Sequence, residues 1–343
     1  MEKIYFINDN LEVLGKKSSE IKLFNRTSLE WIQKEICDTT IEVLDEIPTS
    51  FDDGLNVVIF SRYPLLTGYE MDIVRKEAKE NTILYFGDCF AFYGSELKDS
   101  FAKKYLMDSL AYIPLVSNKN LQRIRDFFHL RINDRLLDLG VIIHDYNTTF
   151  IDDTVEFESG VEIYPNNNIF GNTVIKENAV IYPFNNITDS VIESGVTVKS
   201  STLIGAKVGK NTTVGPNAYL RPNSNVGENC RVGDFVEIKN ANIGNGTKIS
   251  HLSYVGDADV GEKVNVGCGS IFVNYDGKNK HRTTVGNHCF IGSNCNVIAP
   301  CKIDDESFIA AGTTVTKDVP ENSLVIGRVR EEIKTNRAKK YLG

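Results

Sequence analysis

Six side chains between residues 221 and 280 carry chemistry that their surroundings do not require: Arg221, Lys239, His251, Tyr254, Asn265 and Lys280 interrupt a stretch otherwise made of apolar, glycine and small polar residues. Arg221 and Lys239 are 18 residues apart, with no acidic partner at their own positions. Stacked on each other, the two cations would form a phosphate subsite, because guanidinium and ammonium groups donate to phosphate oxygens. Taken singly, each is an ordinary solvated charge, and only the common interval argues otherwise. His251 alone is likewise an ordinary surface histidine. Tyr254, three residues on, and Glu237, 14 residues before it, raise its weight, since a carboxylate that orients an imidazole strengthens it as a base. A base beside a phosphate subsite is the chemistry these residues suggest.

An 18-residue interval has meaning only on a repeating scaffold, and the chain supplies one. Apolar residues recur every six positions, as at Ile163, Ile169, Ile175, Ile181 and Ile187, and again at Val208, Val214, Leu220, Val226, Val232 and Ile238. A period of six fits neither a helix nor a free strand; it is the period of a parallel β-helix made of hexapeptides, three to a triangular coil. The 28 hexads make about nine coils, a prism roughly 40–45 Å long at the usual strand spacing. Glycine often follows the inward position, as at Gly209, Gly233 and Gly244, where a corner would need a sharp turn. Residues 273–284 fit no hexad and must leave the prism as a loop, the kind of segment that carries binding residues.

The rest of the chain divides around this prism. Residues 1–118 read as an α/β domain with strands at 3–7, 56–60 and 81–86 and helices at 70–80 and 97–110. Residues 119–145 form a linker whose amphipathic helix carries Leu121, Ile124, Phe127, Phe128, Leu130, Ile132, Leu136 and Leu137 on its apolar stripe. The prism occupies 146–319 and a basic tail 320–343. Seven cysteines without a Cys-x-x-Cys pair indicate neither a disulfide framework nor a zinc site, and Cys230, Cys289, Cys295 and Cys301 fall where the hexads want a small buried side chain. A net charge of -8 argues against a nucleic-acid partner. No apolar run is long enough to span a membrane, and residues 1–9 lack a signal-peptide pattern, so the chain reads as cytoplasmic.

Longer runs carry a resemblance. The stretches RINDRLLDLGV at 131–141 and TFID at 149–152 are similar to the arm and first coil of the bifunctional family that acetylates glucosamine 1-phosphate and then uridylates the product. The resemblance continues through Arg221-Pro222, FVEIK at 235–239, HLSYVGDA at 251–258, NVG at 265–267, NYDGKNK at 274–280 and AAGTTVT at 310–316. It implies a left-handed β-helix, acetyl-CoA as cosubstrate, an amino-sugar phosphate as acceptor, and no metal for acetyl transfer. By the same resemblance His251, which the spacing sets beside Glu237, is the general base, and Arg221, Lys239, Tyr254, Asn265 and Lys280 hold the sugar phosphate, Lys280 from its own or a neighbouring subunit. Asn274, Tyr275, Ser293, Ala311 and Arg328 would line the cofactor site. Cys268 stands there where the family has a small residue. Packing of three parallel prisms implies a homotrimer.

The N-terminal domain matches less. NVVIF at 56–60 followed by Pro64-Leu65-Leu66 resembles the middle of sugar-nucleotide pyrophosphorylases, but Arg62 and Tyr63 stand where that family places a metal-binding carboxylate. No glycine-rich phosphate loop follows the first strand; the first glycine is Gly15. Uridyl transfer is therefore not expected. Three other readings are weighed: acetylation of a different amino sugar or sugar nucleotide, a non-catalytic trimeric scaffold, and a β-helix carbonic anhydrase, which would need three convergent histidines that the five present do not supply.

Overall fold

The computed structural model describes residues 2–9, 11–36, 39–106 and 109–342 and divides into two compact units, residues 1–135 with 151–154, and residues 136–150 with 155–343. The first unit runs β1 (Glu2–Ile7), β2 (Glu12–Val13), β3 (Lys16–Lys17), α1 (Ser28–Glu35), β4 (Ile41–Leu44), β5 (Leu55–Phe60), α2 (Gly68–Glu77), β6 (Thr82–Phe86), β7 (Cys89–Tyr93), β8 (Ala102–Tyr105) and α3 (Asn118–Asp138). Its six-stranded sheet has the order β4-β1-β5-β7-β6-β8, with β7 antiparallel to β5 and β6. β5 is almost wholly apolar and nearly all buried, as a central strand covered on both faces must be. Capping boxes start both short helices, Thr27 with Glu30 and Thr67 with Glu70, each satisfying amides that the first turn leaves open.

Residues 97–110 do not form the expected helix. Ala102–Tyr105 instead pairs in parallel with β6, Thr82 opposite Ala102, and Tyr105 stacks on Tyr85 at 5.1 Å. The exposed edge of β6 offers a full row of backbone partners, and Phe101 packs against the sheet's aromatic core, so a strand satisfies this segment better than a helix does. Met107 and Asp108, within the same stretch, lie outside the described residues. On α3, Leu130 and Leu137 are exposed rather than part of the buried stripe.

At the carboxyl ends of β1 and β5, Arg62 is held between two carboxylates. It donates to Asp9 at 2.9 Å and to Asp88 at 3.1 Å, and Tyr63 donates its hydroxyl to Asp88 at 2.7 Å. Both carboxylates lie far along the chain from Arg62, at residues 9 and 88, so no local motif announces them. Burial, reinforced by Asp88, pushes the Tyr63 phenol up to about 12.

The second unit is a left-handed parallel β-helix of hexapeptide coils whose three sheets hold ten, nine and eleven strands. Successive strands stack in register, for example Ile169 opposite Ile187 and Leu203 opposite Leu220. The inward positions Leu220, Ile238, Val255, Phe272 and Val297 are all buried. The stack exceeds the expected nine coils because Ile142–Ile143 and Leu324–Val325 extend the eleven-stranded sheet at its two ends. Glycines after the inward position have a different cause from the one expected. A Cβ on Gly209 would strike the backbone of Gly227, and one on Gly244 that of Gly261, so these columns permit close coil-to-coil packing rather than a turn.

Phe272 is the large side chain that fills the prism core beneath the candidate site. Phe272→Ala is expected to destabilise the second unit by about 3–5 kcal/mol, readable as a shift in its denaturant midpoint at unchanged slope. No helix among the described residues is long and apolar enough to cross a membrane.

Candidate active site

Two successive strands of the eleven-stranded sheet, Arg231–Asp234 and Lys248–His251, pair with Asp234 directly opposite His251. The register alone brings the two side chains together, and Asp234 Oδ1 lies 2.5 Å from His251 Nδ1. The bond from His251 holds the Asp234 carboxyl below its ordinary range, with help from Asp234's own amide. A neutral imidazole that donates from Nδ1 to a carboxylate carries its lone pair on Nε2. The imidazole is half exposed, its side chain 52% accessible, and Nε2 has no hydrogen-bond partner among the described residues.

Glu237 does not occupy the place expected for it. It lies on the ten-stranded sheet, between Tyr219 and Tyr254 in register, and accepts from Arg221 Nη1 at 2.8 Å. The physical reason is the pitch of the coil: 14 residues fall short of a full turn, whereas the 17 between Asp234 and His251 make one here. The same bond corrects the expectation that Arg221 lacks an acidic partner.

Arg221 and Lys239 do share one edge of this sheet. The Arg221 amide donates to the carbonyl of Ile238 at 2.8 Å, and Lys239 pairs with Gly256 on the next coil. Lys280 joins them within the same chain, because the loop folds back through a bridge between Tyr275 and Lys280. The neighbouring Lys280 ammonium, together with burial, lowers the Lys239 pKa against the pull of Asp257. Cations held this close repel one another and would be relieved by an anionic ligand.

Asp257 anchors the arrangement from below. Burial would raise its pKa, but amides from Asn240, at 2.6 Å, and Asn274, with the charges of Lys239 and Lys280, lower it on balance. Asn274 also approaches the Tyr254 hydroxyl at 3.4 Å, so its amide is spent on holding the loop, and the Tyr275 hydroxyl donates to the carbonyl of Gly277 at 2.7 Å. Tyr254 lies across Gly256, filling the space that a Cβ there would need.

Three residues expected at the cofactor continue the column of the dyad. Extending the register of Ile249 with Val266 by two residues sets Cys268 beside His251. The amides of Asn294 and Gly312 then donate to the carbonyls of Cys268 and Ser293, each at 2.8 Å, which carries the column on to Ala311. Arg328 Nη1 donates to the Ala311 carbonyl at 3.0 Å. Asn265 stands apart: it is on the eleven-stranded sheet between Lys248 and Phe290, facing away from the edge with Arg221 and Lys239. Asp234, Asn240 and Asp257 were not singled out from sequence. Each sits 17 residues from the partner it meets, an interval that would have found them.

The model of the bacterial transferase hexapeptide (six repeats) matches residues 205–240 and 282–317. The bifunctional protein GlmU of Clostridium novyi (strain NT) is 50% identical over 215 residues, 63% of this chain and 47% of that protein. This chain is homologous to bifunctional GlmU over 63% of its length. The GlmU of Clostridium acetobutylicum is also 50% identical, over 218 residues, covering 64% of this chain and 48% of its own. The chain thus spans about half the length of the GlmU relatives it matches. The solved UDP-N-acetylglucosamine acyltransferase of Francisella novicida is 19% identical, with a TM-score of 0.40, over 54% of this chain and 67% of that one.

Proposed function

We propose that this GlmU homologue transfers the acetyl group of acetyl-CoA to the amine of glucosamine 1-phosphate. The observation that carries the reading is the Asp234–His251 pair, in register on adjacent strands of the eleven-stranded sheet, in a prism whose ten-stranded sheet carries Arg221 and Lys239 along one edge with Lys280 against Lys239. The cations would hold the sugar phosphate, and Tyr254 would help orient the ring. His251 Nε2 takes the proton from the sugar nitrogen as that nitrogen forms its bond to the acetyl carbon. The carbon–sulfur bond then breaks, and the proton passes to the leaving CoA thiolate. Cys268, Ser293, Ala311 and Arg328 would line the thioester side, with Asn274 and Tyr275 shaping the loop above it.

Half-exposed charges are weak in water and strengthen when covered. A homotrimer of parallel prisms would cover them. No uridyl transfer is proposed for the first unit, because no glycine-rich phosphate loop follows its first strand and Arg62 is already paired with Asp9 and Asp88.

The test follows CoA release by purified protein given acetyl-CoA and glucosamine 1-phosphate, with the background of its own cysteines subtracted. Turnover supports the reading. Release only with another amino sugar moves the acceptor, and failure of acetyl-CoA to bind would sink the enzyme altogether. Cys268→Ala should keep kcat within about twofold, since a side chain that only packs contributes little to a transition state; loss of turnover in that variant would point to an acetyl-cysteine route. Gly256→Ala should retain the fold but displace Tyr254 and raise KM for the sugar phosphate about tenfold, the equivalent of one hydrogen bond.

A further inference from the structure

A cavity of about 430 Å³ opens in the first unit, far in sequence from the prism chemistry, lined by Val13, Leu14, Ile21 and Leu121 with Lys16, Lys22, Arg125 and Glu20 at its rim. Val13, Ile21 and Leu121 are buried and form an aliphatic floor. Lys16, Lys22 and Arg125 take part in no salt bridge among the described residues, which leaves a rim with an excess of two positive charges over Glu20.

A second, independent feature points to the same opening. β2 and β3 pair with Val13 opposite Lys16, so Leu14 and Gly15 make a two-residue turn. Both have positive φ, 55° and 72°, as a type I′ turn demands, and such turns favour Asn-Gly or Asp-Gly. A leucine in that conformation is strained, yet the residue is 66% exposed at the mouth of the cavity. Folding alone gives no return for placing it there, and strain that a fold maintains without packing benefit marks a functional position.

We infer that this cavity binds a free, single-chain aliphatic anion, a carboxylate or phosphate monoester with its head on Lys16, Lys22 and Arg125 and its chain on the Val13, Ile21 and Leu121 floor beneath Leu14. Among the described residues no aromatic side chain lines the cavity, which argues for an aliphatic body over a stacked ring.

The experiment titrates the full chain with octyl phosphate, octanoate, inorganic phosphate and phosphatidylglycerol vesicles by calorimetry. Trp31, the sole tryptophan, is a local reporter, because its indole donates to the carbonyl of Leu23 and its ring stacks on Phe128 of α3. Saturable binding of octyl phosphate or octanoate is expected, with inorganic phosphate at least tenfold weaker. The double variant K22E/R125E should lose at least tenfold in affinity at unchanged Tm. Leu14→Asn should raise the Tm of the free protein while weakening the ligand, a combination that a purely structural role for Leu14 cannot produce. Absence of saturable binding to either chain-bearing probe, equal affinity for inorganic phosphate, indifference to the charge reversals, or binding confined to phosphatidylglycerol vesicles would each overturn the inference.

Discussion

His251→Ala is expected to lower kcat for acetyl transfer by about 10²–10⁴-fold, the usual contribution of a positioned general base, while acetyl-CoA still binds. The side chain is half exposed, so the variant should fold normally and the loss can be read as chemistry. Asp234→Asn separates the base from its support. The amide cannot accept from Nδ1 with a full negative charge, and a hydrogen bond to a charged group contributes about 1.5–3 kcal/mol, hence a kcat loss of about 10–100-fold. KM for the sugar phosphate should be unchanged, because the Arg221, Lys239 and Lys280 cations are untouched. Steady-state kinetics of both variants beside the parent provide the check. If Asp234→Asn raised KM and left kcat alone, Asp234 would belong to substrate binding and the dyad reading would fail.

The prism was legible because its information is local and repeated. Each hexad states its own inward residue, and the 18-residue interval sufficed to align Arg221 with Lys239. What the sequence reading lacked was the coil pitch at each corner. A single residue more or less moves a side chain to another face, which is why Glu237 was set beside His251 although it pairs with Arg221 and leaves that place to Asp234. Asn265 illustrates the same limit from the other side, since its kinship with the sugar-phosphate residues in sequence does not survive as proximity within one chain. In the first unit the decisive contacts are long-range. Arg62 meets carboxylates from residues 9 and 88, and the strand at Ala102–Tyr105 exists because β6 has an edge to satisfy. Neither leaves a periodic trace.

Asp153→Ala is expected to destabilise the first unit by about 3–5 kcal/mol, the typical result of removing one partner from a buried ion cluster. By the hexad pattern Asp153 belongs to the first coil, yet residues 151–154 group with the first unit, and the Asp153 side chain is wholly buried there. It accepts from Arg26, from Lys34 at 2.6 Å and from Arg135 at 2.5 Å. Deleting the carboxylate leaves three partly exposed cations facing one another with nothing to offset their charge. Burial opposes ionisation of Asp153, but the bonds from Lys34 and Arg26 and the charge of Arg135 outweigh it and hold the pKa below the carboxylate range. A carboxylate depressed in the folded state contributes stability above its unfolded value, near ~3.9, and loses it as pH falls through the folded value. Urea unfolding followed by Trp31 fluorescence isolates this unit, since no other tryptophan contributes. The parent should therefore lose stability more steeply than Asp153→Ala as the pH is lowered below ~4, and the two curves should converge at the acid end. A variant that unfolds at the parent's midpoint at pH 7 would mean that the three cations are already solvated and that the cluster holds nothing together.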